Sequence, residues 1–276
     1  MLFSIITPSF RNSQWLKLCI ASVADQGVRV EHIIQDAGSD DGTLDWLLQD
    51  KRINVFVEKD AGMYDAINRG LRRASGEIIA HLNCDEQYLP GALQAVEQYF
   101  AEHPEIEVVF ADAVAVDSNG DYLSHRKMLV PRLWQTWTFP LSTLTCATFF
   151  RRSIIDRGLF FDTQWRIIGD GAWVLRLLHE RVRMCILRRF TSAFTVTGQN
   201  LSLHPAHFGE VQRFYNTAPP GLRLLRPLIL AHHRLRRLLN GVYSQPPFDY
   251  EIYTQASPNK RVLKHVSQPQ FRWRWQ

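Results

Sequence analysis

Two periods of hydrophobicity alternate along roughly the first hundred residues. The runs FSIITPSF and EHIIQDAG are short, rich in β-formers and closed by Pro, Ser, Asp and Gly, which reads as strands. Between them SQWLKLCIASVADQG sets Trp15, Leu18, Cys19 and Val23 at helical intervals before Gly27, a helix with its stop signal. The alternation continues through GTLDWLLQD, NVFVEKD, GMYDAINRGLRRAS and EIIAHLN. Strand-helix-strand units of this kind build a parallel sheet covered by its crossover helices. The pattern therefore predicts an α/β fold, a Rossmann-like, mostly parallel sheet flanked by helices. Ligands of such sheets collect at the carboxyl ends of the strands. Three of those ends carry candidate chemistry: Thr7-Pro8-Ser9, Asp36 with Asp40 and Asp41, and Asn83 through Glu86.

After Pro219 and Pro220 the pattern changes. In GLRLLRPLILAHHRLRRLLNGVY the residues Leu224, Leu225, Leu228, Ile229, Leu235, Leu238 and Leu239 recur at helical spacing, with Arg223, Arg226, Arg234, Arg236 and Arg237 at the edges. Residues 220–276 are thus expected to form a basic amphipathic extension, helical and kinked or divided at Pro227. Such a helix either lies in a membrane interface or packs on the globular domain with its arginines in water. The ending FRWRWQ alternates Trp273 and Trp275 with Arg272 and Arg274, and indole rings favour the headgroup region, which tilts the reading toward an anionic membrane surface.

Composition narrows the partners. The chain has 276 residues, 46% of them hydrophobic, enough for one large core. Its formal charge of +5 asks for an anionic partner, but the basic residues concentrate in the C-terminal segment and no nucleic-acid motif is recognisable, so nucleic acid is not expected. No run approaches the roughly 18 apolar residues of a spanning helix. MLFSIITPSF enters a strand without a basic region before it, so a cytoplasmic location is expected, peripheral to the inner face of the membrane if the extension binds there. Cys19, Cys84, Cys146 and Cys185 lack paired spacing and read as reduced thiols.

A carboxylate at the end of a buried strand is costly unless a cation pairs with it. Mn²⁺ and Mg²⁺ fit such a place, because they take one or two protein carboxylates and complete their shells with phosphate oxygens and water. NCDE reads either as that site or as the solvated start of the loop before Pro90. DAGSDDGT lacks the ligand spacing and closing Glu of a calcium loop, so its acids read as turn formers beside a pocket. Asp170 in GDGAWVLRLLHE stands where a helix N-cap would stand. His204 and His207 read as loop histidines or as a metal or phosphate contact, and Arg69, Arg72 and Arg73 as phosphate contacts or a solvated helix face.

Taken together, SIITPSFRN, IIQDAGSDDGT, EKDAGMYDAINRGLRRASGEIIAHLNCDE, ATFFRRSII and IIGDGAWVLRLL resemble the family 2 glycosyltransferases of the GT-A fold, particularly bacterial enzymes of surface-polysaccharide synthesis. The resemblance covers residues 3 to about 203. It implies a GT-A domain over 1–219, with a donor-binding half to about 100 and an acceptor and catalytic half over 101–219. It implies that Thr7, Pro8 and Ser9 lie against a nucleotide base, that Asp36 takes a polar edge of base or ribose, and that Asp60 and Asn68 line the donor pocket. Asn83-Cys84-Asp85 falls on the metal-binding motif, with Asp85 as metal carboxylate and Asn83 beside it, and Asp170 matches the acid that serves as base. Two departures stand out: Asn83 replaces the first acid of the metal motif and Glu86 a frequent Asp, and Thr145 and Cys146 precede ATFF where His or Gln is frequent. The implied activity is metal-dependent, inverting transfer of a sugar from a nucleotide-sugar donor, by default UDP-linked, to a saccharide or lipid-linked saccharide in polysaccharide synthesis. A sugar nucleotidyltransferase, a non-catalytic nucleotide-sugar-binding protein and a basic nucleic-acid binder remain as alternatives.

Overall fold

The computed structural model describes residues 1–139, 143–201 and 204–272. In chain order the elements are β1 (Leu2–Ser9), α1 (Ser13–Ala24), β2 (Arg29–Asp36), α2 (Thr43–Leu47), β3 (Asn54–Val57), α3 (Met63–Arg73), β4 (Ile78–His81), β5 (Glu86–Tyr88), α4 (Ala92–Glu102), β6 (Val108–Val116) and β7 (Tyr122–Arg126). They continue with α5 (Leu133–Thr138), β8 (Thr148–Arg151), α6 (Ser153–Asp156), α7 (Gly169–His179), β9 (Met184–Thr195), α8 (Ala206–Asn216), α9 (Pro220–Leu224), α10 (Arg226–Leu239), β10 (Phe248–Thr254) and β11 (Ser257–Val266).

The main sheet has nine strands in the order β3-β2-β1-β4-β8-β6-β9-β5, with β7 paired to β6. Strands β1 to β4, β6 and β9 run one way, and β5, β7 and β8 run against them. The parallel half is the region whose alternating pattern predicted it. Its strands are apolar on both faces, as a sheet covered by helices requires: Phe3, Ile5 and Ile6 of β1 and Ile78 and Ile79 of β4 are fully buried. β4 reaches β1 only because residue 76 is a glycine; a Cβ there would come within 2.6 Å of the Ser4 amide nitrogen and 2.7 Å of the Leu2 carbonyl.

The extension is helical over α9 and α10, divided just before Pro227, but it does not stay helical. Residues 248–266 fold into an antiparallel hairpin. Tyr250, Ile252 and Val266 of this hairpin pack with Leu89, Val114, Val116 and Ala193 of the main domain. Arg261 donates to both oxygens of Asp25, at 2.6 and 2.7 Å, and to the carbonyls of Tyr88 and Glu251. Gln87 exchanges two hydrogen bonds with the Tyr253 main chain. The leucine stripe behaves differently: Leu224, Leu228, Leu238 and Leu239 are exposed, and in α10 only Ile229 is buried. The structure thus separates two properties that the sequence pattern joined, a hairpin built into the core and a helix whose apolar face meets solvent. Trp273 and Trp275 lie outside the described residues.

Because Ile252 is buried at the joint between hairpin and sheet, Ile252→Ala should cost roughly 2–5 kcal/mol. Urea denaturation should show the midpoint falling at unchanged slope. An unchanged midpoint would mean that the hairpin rests on the surface without supporting the fold.

Candidate functional site

β1, β2 and β4 end side by side at Ser9, Asp36 and His81, and the segments that follow shape a crevice at their carboxyl edge. The end of β1 turns inward. Thr7 is fully buried and its hydroxyl meets His32 Nε2 at 2.9 Å; Pro8 is buried as well. Burial pushes His32 down to about 3, so its ring is neutral and the Thr7 pair belongs to the core. In this structure the Thr7 side chain is turned into the core. Ser9 is different, for its buried Oγ has no partner among the described residues.

Asp36 organises the loop that follows it. Oδ1 accepts from the amides of Gly38 and Ser39, at 2.9 and 2.7 Å, and Oδ2 accepts from the Ser39 hydroxyl. Asp41 in turn accepts from the Thr43 amide and hydroxyl at the start of α2, so the acids of DAGSDDGT form turns, as their spacing suggested. Asp60 accepts from the Gly62 amide; burial raises its pKa, and Asp65 and Asp36 add to that. Asn68 is held as firmly. Its amide is buried and fully engaged by the main chain of Phe161, donating at 2.8 Å and accepting at 3.0 Å, which makes it a clamp between α3 and the segment before α7. Arg69 pairs with Asp65 and Glu58, and Arg73 with Glu58, so those arginines serve the fold.

The segment after β4 answers the expectation of a metal site in detail. The Asn83 main-chain amide donates to Glu86 Oε2 at 2.8 Å, closing a tight turn, while Asn83 Oδ1 is buried without a partner among the described residues. Asp85 accepts one long bond of 3.3 Å from Asn200, and burial pushes its carboxyl up to about 6. Burial, with the neighbouring Asp85, pushes Glu86 further, up to about 8, so Glu86 is protonated at neutral pH. Cys84 turns its sulfur away to accept from Asn12 at 2.9 Å and to pack on Leu16, Ile20, Ile34 and Leu47. Its thiol is raised by burial and is inert as a nucleophile. Among the described residues no group of three or more His, Cys, Asp or Glu could hold a metal. An orphaned amide oxygen beside one strained carboxylate does fit a hard cation that brings its own phosphate and water ligands. It does not fit a metal held by protein alone.

Asp170 sits in the first turn of α7, two residues past Ile168 at the cap position, and no side chain caps that helix. Its Oδ1 accepts from the Gly171 amide at 2.8 Å, and its own amide donates to the Tyr64 hydroxyl at 3.1 Å. Burial pushes the carboxyl up to about 6, with those amides and Tyr64 pulling the other way. Tyr64 approaches so closely that a Cβ on residue 169 would lie 2.5 Å from its ring, which explains the first glycine of GDG. Glu210 of α8 accepts from three consecutive amides, Arg166, Ile167 and Ile168, and so holds the approach to the helix. Next to Asp170 is a small, partly open space of about 10 Å³, the size of one water, whose lining includes His81, Thr143, Thr145, Thr148 and Trp173. His81 has an unpartnered Nε2 there and is held neutral by burial, at about 4.

Tyr64, His81, Asn200 and Glu210 were not singled out by sequence reasoning. Tyr64 and His81 lay inside quoted motifs but looked like core residues; Asn200 and Glu210 are far along the chain from what they touch. His204 accepts from the Ala206 amide and His207 stands beside Glu210, which gives both a local role.

A carboxyl with a raised folded pKa favours folding least when ionised, so Glu86 lowers stability as pH climbs from its unfolded value toward about 8. Glu86→Gln should be more stable than the wild type at about pH 8, with the gap closing toward about pH 5. Chemical denaturation at both pH values checks this, and a gap that widens on acidification would refute the protonated assignment.

Residues 4–159 match the family model described as Glycosyl transferase family 2. A PGL/p-HBAD biosynthesis glycosyltransferase of Mycobacterium tuberculosis is 26% identical over 185 residues, covering 63% of this chain and 69% of that protein. Among solved structures, residues 1-349 of S. aureus TarS in complex with UDP superpose with a TM-score of 0.62 at 20% identity, over 87% of this chain and 74% of that one. The mannosyltransferase PcManGT of Pyrobaculum calidifontis, in complex with GDP-Man and Mn²⁺, gives a TM-score of 0.58 at 16% identity, over 84% and 69%. These structures share the fold of this chain.

Proposed function

We propose, from the premise that the chain belongs to glycosyl transferase family 2 and is a glycosyltransferase, that it transfers a sugar with inversion from a nucleoside diphosphate, by default UDP, to a saccharide or lipid-linked saccharide in polysaccharide synthesis. The observation that carries this reading is the turn after β4, where the orphaned Asn83 Oδ1 stands beside the desolvated Asp85 carboxyl at the carboxyl edge of the parallel strands. Membership in the family sets aside the nucleotidyltransferase and the nucleic-acid binder.

Asp85 and Asn83 would hold Mn²⁺ or Mg²⁺, which supplies Lewis-acid stabilisation of the departing diphosphate. Ser9, Asp36 and Asp60 border the donor half of the crevice, and the buried Ser9 hydroxyl awaits a partner. Asp170 accepts the proton of the attacking hydroxyl. Its carboxylate is desolvated enough to be a stronger base than a free one, and the amides at the start of α7 keep it ionised above about pH 6. Thr145, Thr148 and His81 line the side from which that hydroxyl would come. Attack opposite the leaving diphosphate inverts the anomeric centre. We assign the donor half to residues up to about 100 and the acceptor half to 101–219, and we place the enzyme at the cytoplasmic face of a membrane. The support for that location is the outward leucine face of α10 among arginines; no helix of the described residues is long and apolar enough to cross a membrane.

Asp85→Ala should abolish Mn²⁺-dependent binding of UDP while leaving thermal unfolding without ligand near that of the wild type. In the wild type the same binding should weaken as pH falls through about 6, because only the ionised carboxylate attracts the cation. Calorimetry with UDP and Mn²⁺ checks both, and unchanged affinity in the variant removes Asp85 from the metal.

Asp170→Asn should keep UDP binding and lose about 10²–10⁴-fold in kcat. For the wild type, kcat should fall as pH drops below about 6, where the base becomes protonated. A panel of nucleotide sugars, read as release of nucleoside diphosphate, identifies the donor first. Near-normal turnover of the variant would leave Asp170 with a structural role only.

A further inference from the structure

α10 meets the main domain chiefly through α5, and the two helices leave a groove of about 530 Å³ between them. Its floor is Gln135 and Ile229, and its walls are Leu133 and Trp134 on one side and Leu225 and Leu228 on the other. The volume is that of a small-molecule pocket, and the lining is almost wholly apolar. Trp134 is 64% exposed, Leu225 49% and Leu228 67%, so the groove opens to solvent along its length. One end is polar: Arg132 and His232 approach each other across it at 3.4 Å. At about 100° per residue, Leu228, Leu235, Leu238 and Leu239 fall within roughly one quadrant of α10, outward and contiguous with the groove mouth.

Charge fixes what can fill this space. Neither residues 122–155 nor residues 211–248 contain a single Asp or Glu, whereas Lys127, Arg132, Arg223, Arg226, Arg234, Arg236 and Arg237 lie in them. An acidic peptide would match the arginines but not the apolar walls. A neutral apolar molecule would match the walls but not the acid-free rim. We infer that the α5–α10 groove takes one acyl chain of an anionic phospholipid from the bilayer, with the lipid phosphate against Arg132 and His232 and the leucines of α10 in the surrounding headgroup layer. This inference rests on the membrane contact of the preceding section and adds to it a defined lipid site. The site also has a consequence for the enzyme: α5 packs on α7 as well as on α10, so a lipid seated there lies one helix away from the helix that carries Asp170.

The test uses the full chain and vesicles of phosphatidylcholine, with or without phosphatidylglycerol, whose acyl chains carry bromine, a short-range quencher of indole fluorescence. The protein should sediment with the vesicles that contain phosphatidylglycerol, and its tryptophan emission should be quenched by bromine placed along the chain. Trp134→Phe removes the reporter in the groove; it should sediment as the wild type does and lose the chain-dependent part of the quenching. Sedimentation with the same quenching in Trp134→Phe would overturn the lipid site and leave the membrane contact standing. Failure of the full chain to sediment with either vesicle would overturn both.

Discussion

The desolvation of carboxyl groups at the end of β4 is the constraint around which the crevice is arranged. A strand buried on both faces delivers Asp85 and Glu86 into a place where ionised carboxylates are unfavourable, and the chain resolves this in two ways. Glu86 keeps its proton and uses one oxygen to close the turn on the Asn83 amide. Asp85 keeps an accessible face and a raised pKa. Asn83 beside it has an amide oxygen without a partner among the described residues and adds no charge to the pair.

A second carboxylate, Asp170, is placed by elements far from it in sequence. Tyr64 and Asn68 on successive turns of α3 hold Phe161 and the start of α7, and Glu210 on α8 gathers the three amides just before it. Asp60 and Gly62 lead directly into α3, and Asp60 accepts from the Gly62 amide. One helix therefore ties the turn around Asp60 to the start of α7, and a shift of it would move both.

The C-terminal segment joins two elements with opposite relations to the core. The hairpin adds Tyr250, Ile252 and Val266 to the edge of the sheet, and its Arg261 binds Asp25 at the end of α1. The helices before it leave their leucines in solvent, next to a groove rather than a core. Apolar side chains gathered on one exposed face are of the kind that mark interaction sites on soluble proteins.

The parallel half of the sheet, its helices and the strand ends that carry Ser9, Asp36 and Asp85 were legible from the sequence, because period and turn residues are local properties. Position along the chain also marked Asp170. What a side chain does at such a place was not legible. The resemblance puts Thr7 and Asn68 in donor-binding motifs, and the fold shows what holds them, His32 and the Phe161 main chain, which lie 25 and 93 residues away. Glu86 looks like a charge and is held protonated by burial. The alternation in FDYEIYT is a plain strand signal, yet the helical pattern before it drew the whole tail into one amphipathic reading. Whether a leucine stripe is core or surface depends on what packs against it, and α5 covers only Ile229. Periodicity fixes which residues share a face; only the tertiary structure decides what that face meets, because burial is a property of neighbours that the chain brings from elsewhere.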